Sequence, residues 1–153
     1  VLDTAWDLGL RYFDTAPMYG LTRCEHLLGQ VLREKTGPRV ISTKVGRLML
    51  TERAGRKLPP APPKNPLDPG FHNALPFVEV FDYSYDAIMR SYDDSQQRLG
   101  TDRLDLLYVH DIGRVTHGDL HDHHWAALTT GGGFRALQEL FERRHRLTNG
   151  SRR

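Results

Sequence analysis

Arg11-Tyr12-Phe13-Asp14-Thr15-Ala16-Pro17-Met18-Tyr19-Gly20 decides the fold of this chain. A short strand-like run, Arg11-Tyr12-Phe13, ends on the carboxylate of Asp14, and the following turn delivers the phenol of Tyr19. The same arrangement recurs twice. Val40-Ile41-Ser42-Thr43 ends in Lys44, and Leu104-Asp105-Leu106-Leu107-Tyr108-Val109 ends in His110-Asp111. A carboxylate, a phenol, an ammonium and an imidazole at the carboxyl ends of successive parallel strands face one mouth, which is where a (β/α)8 barrel keeps its chemistry.

Helical patterns lie between these runs. Cys24, Leu27, Leu28, Val31 and Leu32 fall at helical spacing within 23–35, and Gly37-Pro38 stops the pattern. Residues 84–99 form the next predicted helix, with Ser84 as its cap, Ile88, Tyr92 and Leu99 along one face and Gly100 at its end. Residues 134–144 form the last, with Phe134, Leu137, Leu140 and Phe141 on one side, and residues 2–8 resemble the tail of a helix stopped by Gly9. Strand–helix alternation predicts a parallel sheet with right-handed crossovers. Three strands do not close a barrel, so the expected fold class is α/β, a partial TIM barrel holding about strands two to four and missing the first strand and the C-terminal half. Two stretches are expected as loops: 46–82, which holds seven of the nine prolines, and 111–133, which holds four histidines and Gly131-Gly132-Gly133.

The 153 residues suffice for one modest domain, and 39% hydrophobic with 26% charged residues excludes a disordered chain. A net charge of +2 gives no footprint for nucleic acid, and no apolar run approaches the roughly 20 residues of a membrane span. A single cysteine, Cys24, excludes an internal disulfide framework, and Val1-Leu2-Asp3-Thr4-Ala5-Trp6-Asp7 is no signal peptide. A cytoplasmic location is the expectation.

Several spaced motifs, in order, resemble the aldo-keto reductase family over about residues 1–140. They are Gly9 through Gly20, Glu25-His26-Leu27-Leu28-Gly29, Ser42-Thr43-Lys44-Val45-Gly46-Arg47, and Arg98 through His110. Val80-Phe81-Asp82-Tyr83-Ser84-Tyr85 and the long loop before it resemble the aldose 1-dehydrogenase branch, which includes L-fucose and D-threo-aldose dehydrogenases. The resemblance implies NAD(P)-dependent hydride transfer, with oxidation of an aldose at C1 to a lactone as the parent activity, NADP or NAD as cofactor, and a small aldose or carbonyl compound as substrate. By the same resemblance Asp14, Tyr19, Lys44 and His110 match the family's catalytic tetrad, Tyr19 and His110 meet substrate, and Asp14 is the one cofactor contact. The chemistry suits these residue types. A free phenol has a pKa near about 10, and an adjacent ammonium favours its anion. Asp14 would hold Lys44, and His110 would orient the substrate oxygen.

The family's later cofactor motifs have no counterpart here, and the basic stretch 141–153 departs from its pattern. The expectation is therefore a truncated domain over 1–140 with a non-family tail, inactive alone and open to self-association through uncovered sheet edges. The alternative is a catalytically silent fragment that at most binds a partner; a weaker one is a metal protein built on His117, His121, His123 and His124. The metal expectation itself is none, because those spacings lack the Glu of a His-Glu-x-x-His motif. Trp125 is weighed as a platform for a sugar face against an anchor under its own loop. Arg47 is weighed as a substrate contact against a solvated loop arginine, the second being favoured, and the glycine run is expected as a flexible helix entry.

Overall fold

A computed structural model describes residues 1–51 and 70–150, with side chains through Arg143. The Pro59–Pro63 run lies outside the described residues. A short helix α1 (Leu2–Asp7) leads into β1 (Tyr12–Asp14), α2 (Arg23–Arg33) and β2 (Val40–Val45). An antiparallel hairpin follows, β3 (Arg47–Thr51) with β4 (Phe77–Phe81), then α3 (Tyr85–Leu99) and β5 (Leu106–Val109). The chain ends in α4 (Arg114–His117), a 3-10 turn, α5 (His121–Leu128) and α6 (Gly133–Gly150).

β1, β2 and β5 form one parallel sheet in the order β1-β2-β5, as the strand-end pattern requires. The register pairs Asp14 with Ser42 and Lys44 with Tyr108, so the three strands end at nearly one level. Strand alternation divides the sheet into two faces. Phe13, Ile41, Thr43 and Val45 point toward the helices and are buried. Tyr12, Asp14, Ser42, Lys44 and Tyr108 alternate with them on the other face, which is the interior side of a barrel. There Tyr12, Val40, Leu106 and Tyr108 are 39–47% exposed.

The helical side carries two apolar clusters. One joins Trp6, Phe13, Leu28, Leu32, Ile41, Leu99 and Leu104; the other joins Val45, Tyr83, Ile88, Leu128, Ala136 and Leu140. α2 meets α3 at Gly29, where a Cβ would come within 2.6 Å of the Leu99 carbonyl oxygen. Between these helices and β2 sits a sealed charge. Glu25 accepts from the Thr43 hydroxyl and from Arg98 Nε, each at 2.6 Å. α3 starts on Ser84, whose hydroxyl accepts from Ala87 N, and stops at Gly100 with φ +63°.

Three expectations are corrected. The segment expected as one long loop contains the β3–β4 hairpin, whose first strand packs on α3. The segment 111–133 is largely helical, and its Gly131-Gly132-Gly133 run is packed: a Cβ on Gly133 would lie 2.9 Å from Leu128 Cα and overlap the Tyr83 carbonyl. On α6 the buried stripe is Ala136 and Leu140, with Leu137 beside it, whereas Phe134 and Phe141 are exposed. Leu27 on α2 is likewise exposed. No helix among the described residues is long and apolar enough to cross a membrane.

Candidate active site

The four strand-end residues come together at the carboxyl side of the parallel sheet. Lys44 Nζ donates to Asp14 Oδ2 at 2.7 Å and to the Thr15 carbonyl at 2.9 Å. The same ammonium lies 4.9 Å from the centre of the Tyr19 ring. Tyr19 sits in the turn after β1, where Leu21 and Thr22 take positive φ angles of 49° and 81° to fold the chain back toward α2. Its ring meets the His110 imidazole edge to face, with centroids 6.2 Å apart and planes at 88°. His110 continues the β2–β5 ladder by donating its backbone N–H to the Val45 carbonyl at 2.9 Å.

Asp14 is held on both oxygens. Ser42 Oγ donates to Oδ1 while Lys44 binds Oδ2. Because the Ser42 proton is committed, the Tyr12 hydroxyl, 3.0 Å from Ser42 Oγ, is the donor of that pair. A chain of donors therefore runs from Tyr12 through Ser42 to Asp14. Sequence reasoning gave no role to Tyr12 or Ser42. Their signal was the alternation of β1 and β2, which puts both on the face that carries Asp14 and Lys44.

The surroundings set the charges. Partial burial pushes the Asp14 carboxyl up, but the hydrogen bonds from Lys44 and Ser42 outweigh it and hold Asp14 below the usual carboxylate range. Burial likewise pulls Lys44 down, and the hydrogen bonds with Asp14 and Tyr19 together with the Asp14 charge lift it above its ordinary value. Asp14 is thus an anion and Lys44 a cation across the neutral range. His110 moves the other way. Burial and the positive charge of Arg47 lower its pKa from 6.5 to about 4, so the imidazole is neutral at pH 7.

Arg47 is not a solvated loop residue. It is 4% exposed, forms ion pairs with Glu79 and Asp111, and lies over the Phe81 ring at 4.7 Å. The buried Tyr83 hydroxyl donates to the His110 carbonyl at 2.7 Å. It also meets His117 Nε2 at 2.9 Å, and since its proton is spent on His110, the His117 ring is the donor there. His117 and His124 lie 4.2 Å apart, tilted at 41°, and pack against Phe81 and Tyr83. Among the described residues no group of three or more His, Cys, Asp or Glu side chains is arranged to hold a metal ion. Trp125 is placed with Phe134 and His121, at ring distances of 6.4 and 6.1 Å, and is not brought to the four strand-end residues.

Neither the ammonium of this site nor the glycine run is arranged to grip a phosphate. The Lys44 ammonium is already bound by Asp14 and Thr15, so it is not free for a phosphate. Gly131 and Gly133 are filled by Ala127, Leu128 and Tyr83 and form no phosphate cradle.

Parallel strands with these side chains at their carboxyl ends fit one known architecture: the chain belongs to the aldo/keto reductase family, whose model matches residues 1–142. It is 74% identical over 140 residues to pyridoxal 4-dehydrogenase of Microbacterium luteolum, covering 92% of this chain and 41% of that protein. It is 44% identical over 121 residues to D-threo-aldose 1-dehydrogenase of a Pseudomonas species, covering 74% of this chain and 33% of the relative. Among solved structures it is similar to a protein of Pseudomonas aeruginosa described as an aldo-keto reductase, with TM-score 0.59 and 30% identity over 93% of this chain and 42% of the other. The chain thus spans about two-fifths or less of the length of these relatives. They establish the partial α/β barrel and, for the relatives, action on small carbonyl or aldose compounds.

Proposed function

We propose that this chain carries the proton-handling side of a dehydrogenase that oxidises a cyclic hemiacetal to a lactone. Aldoses close on their own hydroxyls to hemiacetals, and pyridoxal does the same through its neighbouring hydroxymethyl group. The names of the two relatives therefore converge on one reacting group, a carbon bearing one hydrogen, one hydroxyl and one ring oxygen. The high identity to the pyridoxal enzyme makes pyridoxal the first substrate to test, ahead of L-fucose and D-threo-aldoses. The observation that carries the reading is the Lys44 ammonium, fixed by Asp14 and set 4.9 Å from the Tyr19 ring.

NADP⁺ or NAD⁺, when bound, supplies the acceptor for the hydride leaving the hemiacetal carbon. Tyr19 Oη takes the proton of the hemiacetal hydroxyl as that bond to carbon becomes a carbonyl. Lys44 stabilises the negative charge that Tyr19 must carry to do so. Asp14 keeps Lys44 at that place and would be the residue that meets the nicotinamide. The neutral His110 imidazole orients the substrate oxygen without competing as a cation.

The 153-residue chain alone does not turn over substrate. Hydride transfer needs the reacting carbons fixed about 3–3.5 Å apart, and the barrel-interior face beside Asp14 and Lys44 stands open at Tyr12, Val40, Leu106 and Tyr108.

The test is a graft of residues 1–140 into the M. luteolum relative, in place of its matching segment, assayed with each cofactor. Oxidation of pyridoxal or a pyranose to its lactone is the expected result. Turnover restricted to carbonyls that form no hemiacetal would contradict it, and turnover by the ungrafted chain would contradict its inactivity.

A further inference from the structure

The residue after His110 is heavily bound. Asp111 has φ +46°, a left-handed conformation that is uncommon for a non-glycine residue although Asp tolerates it better than most. Two side chains hold this corner. The buried Tyr83 hydroxyl grips the His110 carbonyl at 2.7 Å, and Arg47 binds the Asp111 carboxylate from the hairpin. That carboxylate lies 3.7 Å from His110 Nε2, close enough to attract a proton on the ring but beyond hydrogen-bond reach. His110 Nδ1 is buried with no hydrogen-bond partner among the described residues, so the imidazole is not committed on either nitrogen.

A carboxylate 3.7 Å from an imidazole nitrogen favours the protonated ring and draws it into an ion pair. The guanidinium prevents this by taking the carboxylate itself. We propose that Arg47 is a positioning residue for His110: by binding Asp111 it keeps that carboxylate off the imidazole and leaves Nε2 available to a substrate oxygen. Glu79 supplies the second carboxylate that fixes the guanidinium fork, so the hairpin acts on the His110 ring while the parallel sheet holds its backbone. This rests on the reading of His110 as the group that meets the substrate oxygen. The charged groups around His110 are Arg47 from β3, Lys44 from β2, Asp14 from β1 and its own neighbour Asp111; the Tyr19 and Tyr83 hydroxyls complete the set.

The test is NMR of the 153-residue chain with labelled histidine and arginine, which needs no turnover. In the unsubstituted chain His110 should titrate near pH 4, and the Arg47 guanidinium protons should appear as separate, slowly exchanging signals. Arg47→Met should move the His110 midpoint above about 6, and adding Asp111→Asn should bring it back below about 5. A midpoint that Arg47→Met leaves in place, or one that Asp111→Asn does not return, overturns the proposal. If Arg47→Met does not fold, the unsubstituted chain decides: an averaged, freely rotating Arg47 guanidinium overturns it, and pinned protons support it. Loss of turnover in the grafted enzyme with these signals intact would instead count against the proposed reaction, so the two failures are distinct.

Discussion

The Thr43 hydroxyl donates to Glu25 Oε1 at 2.6 Å with both side chains sealed from water, one on β2 directly before Lys44 and the other in the first turn of α2. Arg98 of α3 completes the cluster at 2.6 Å. Glu25 therefore ties the strand that presents Lys44 to the two helices behind it. Removing one partner leaves the others buried and uncompensated. Glu25→Ala should cost about 3–5 kcal/mol in urea unfolding. A loss below about 1 kcal/mol would show that the cluster is not a support of β2.

Gly46 makes a second close approach behind the site. It has φ +101°, and a Cβ there would overlap the Tyr83 ring, which in turn holds the His110 carbonyl. Gly46→Ala combines overpacking with left-handed strain and should destabilise by about 2–4 kcal/mol. The check is chemical denaturation beside Gly37→Ala, whose Cβ would meet open space although its φ is also positive. Equal losses in the two variants would mean that strain alone, not Tyr83, sets the requirement.

His110 makes stability depend on pH. Its folded pKa of about 4 lies below the ordinary 6.5, so between those values the unfolded chain binds a proton that the folded chain refuses. Stability should be unaffected above about pH 6.5 and fall as pH drops toward 4, by on the order of 2–3 kcal/mol from this group. Burial shifts His117 and His124 in the same direction and adds to the slope. Unfolding curves between pH 7 and 4.5 should flatten in His110→Gln; an unchanged slope would contradict a buried neutral imidazole.

The parallel strands, the α3 caps and the convergence of Asp14, Tyr19, Lys44 and His110 were legible in the sequence because each is a local pattern: a β-branched or aromatic run, then a polar residue where the strand stops. The hairpin was hidden because its strands are separated by the proline-rich insertion, although Phe77-Val78-Glu79-Val80-Phe81 alternates as a strand should. Arg47 was misread for a related reason. Its burial depends on Glu79 and Asp111, 32 and 64 residues away, and no local pattern reports such partners. On α6 the largest apolar residues, Phe134 and Phe141, drew the helical face, whereas the tight seam against α3 and Tyr83 admits only Gly133, Ala136 and Leu140. The apolar residues of α5, Trp125-Ala126-Ala127-Leu128, are consecutive rather than spaced by three or four, so no helical pattern showed behind its histidines.

The central claim is that Tyr19, backed by Lys44 and Asp14, exchanges the proton of a hemiacetal hydroxyl. The most direct measurement is steady-state turnover of pyridoxal with saturating NAD⁺ or NADP⁺ by the grafted enzyme carrying Tyr19→Phe, against the same graft unsubstituted. Loss of the phenol hydroxyl with the ring retained should lower kcat by about 10²–10⁴-fold and leave folding intact. A graft whose turnover survives Tyr19→Phe within a few-fold would contradict the claim and move the proton to another group.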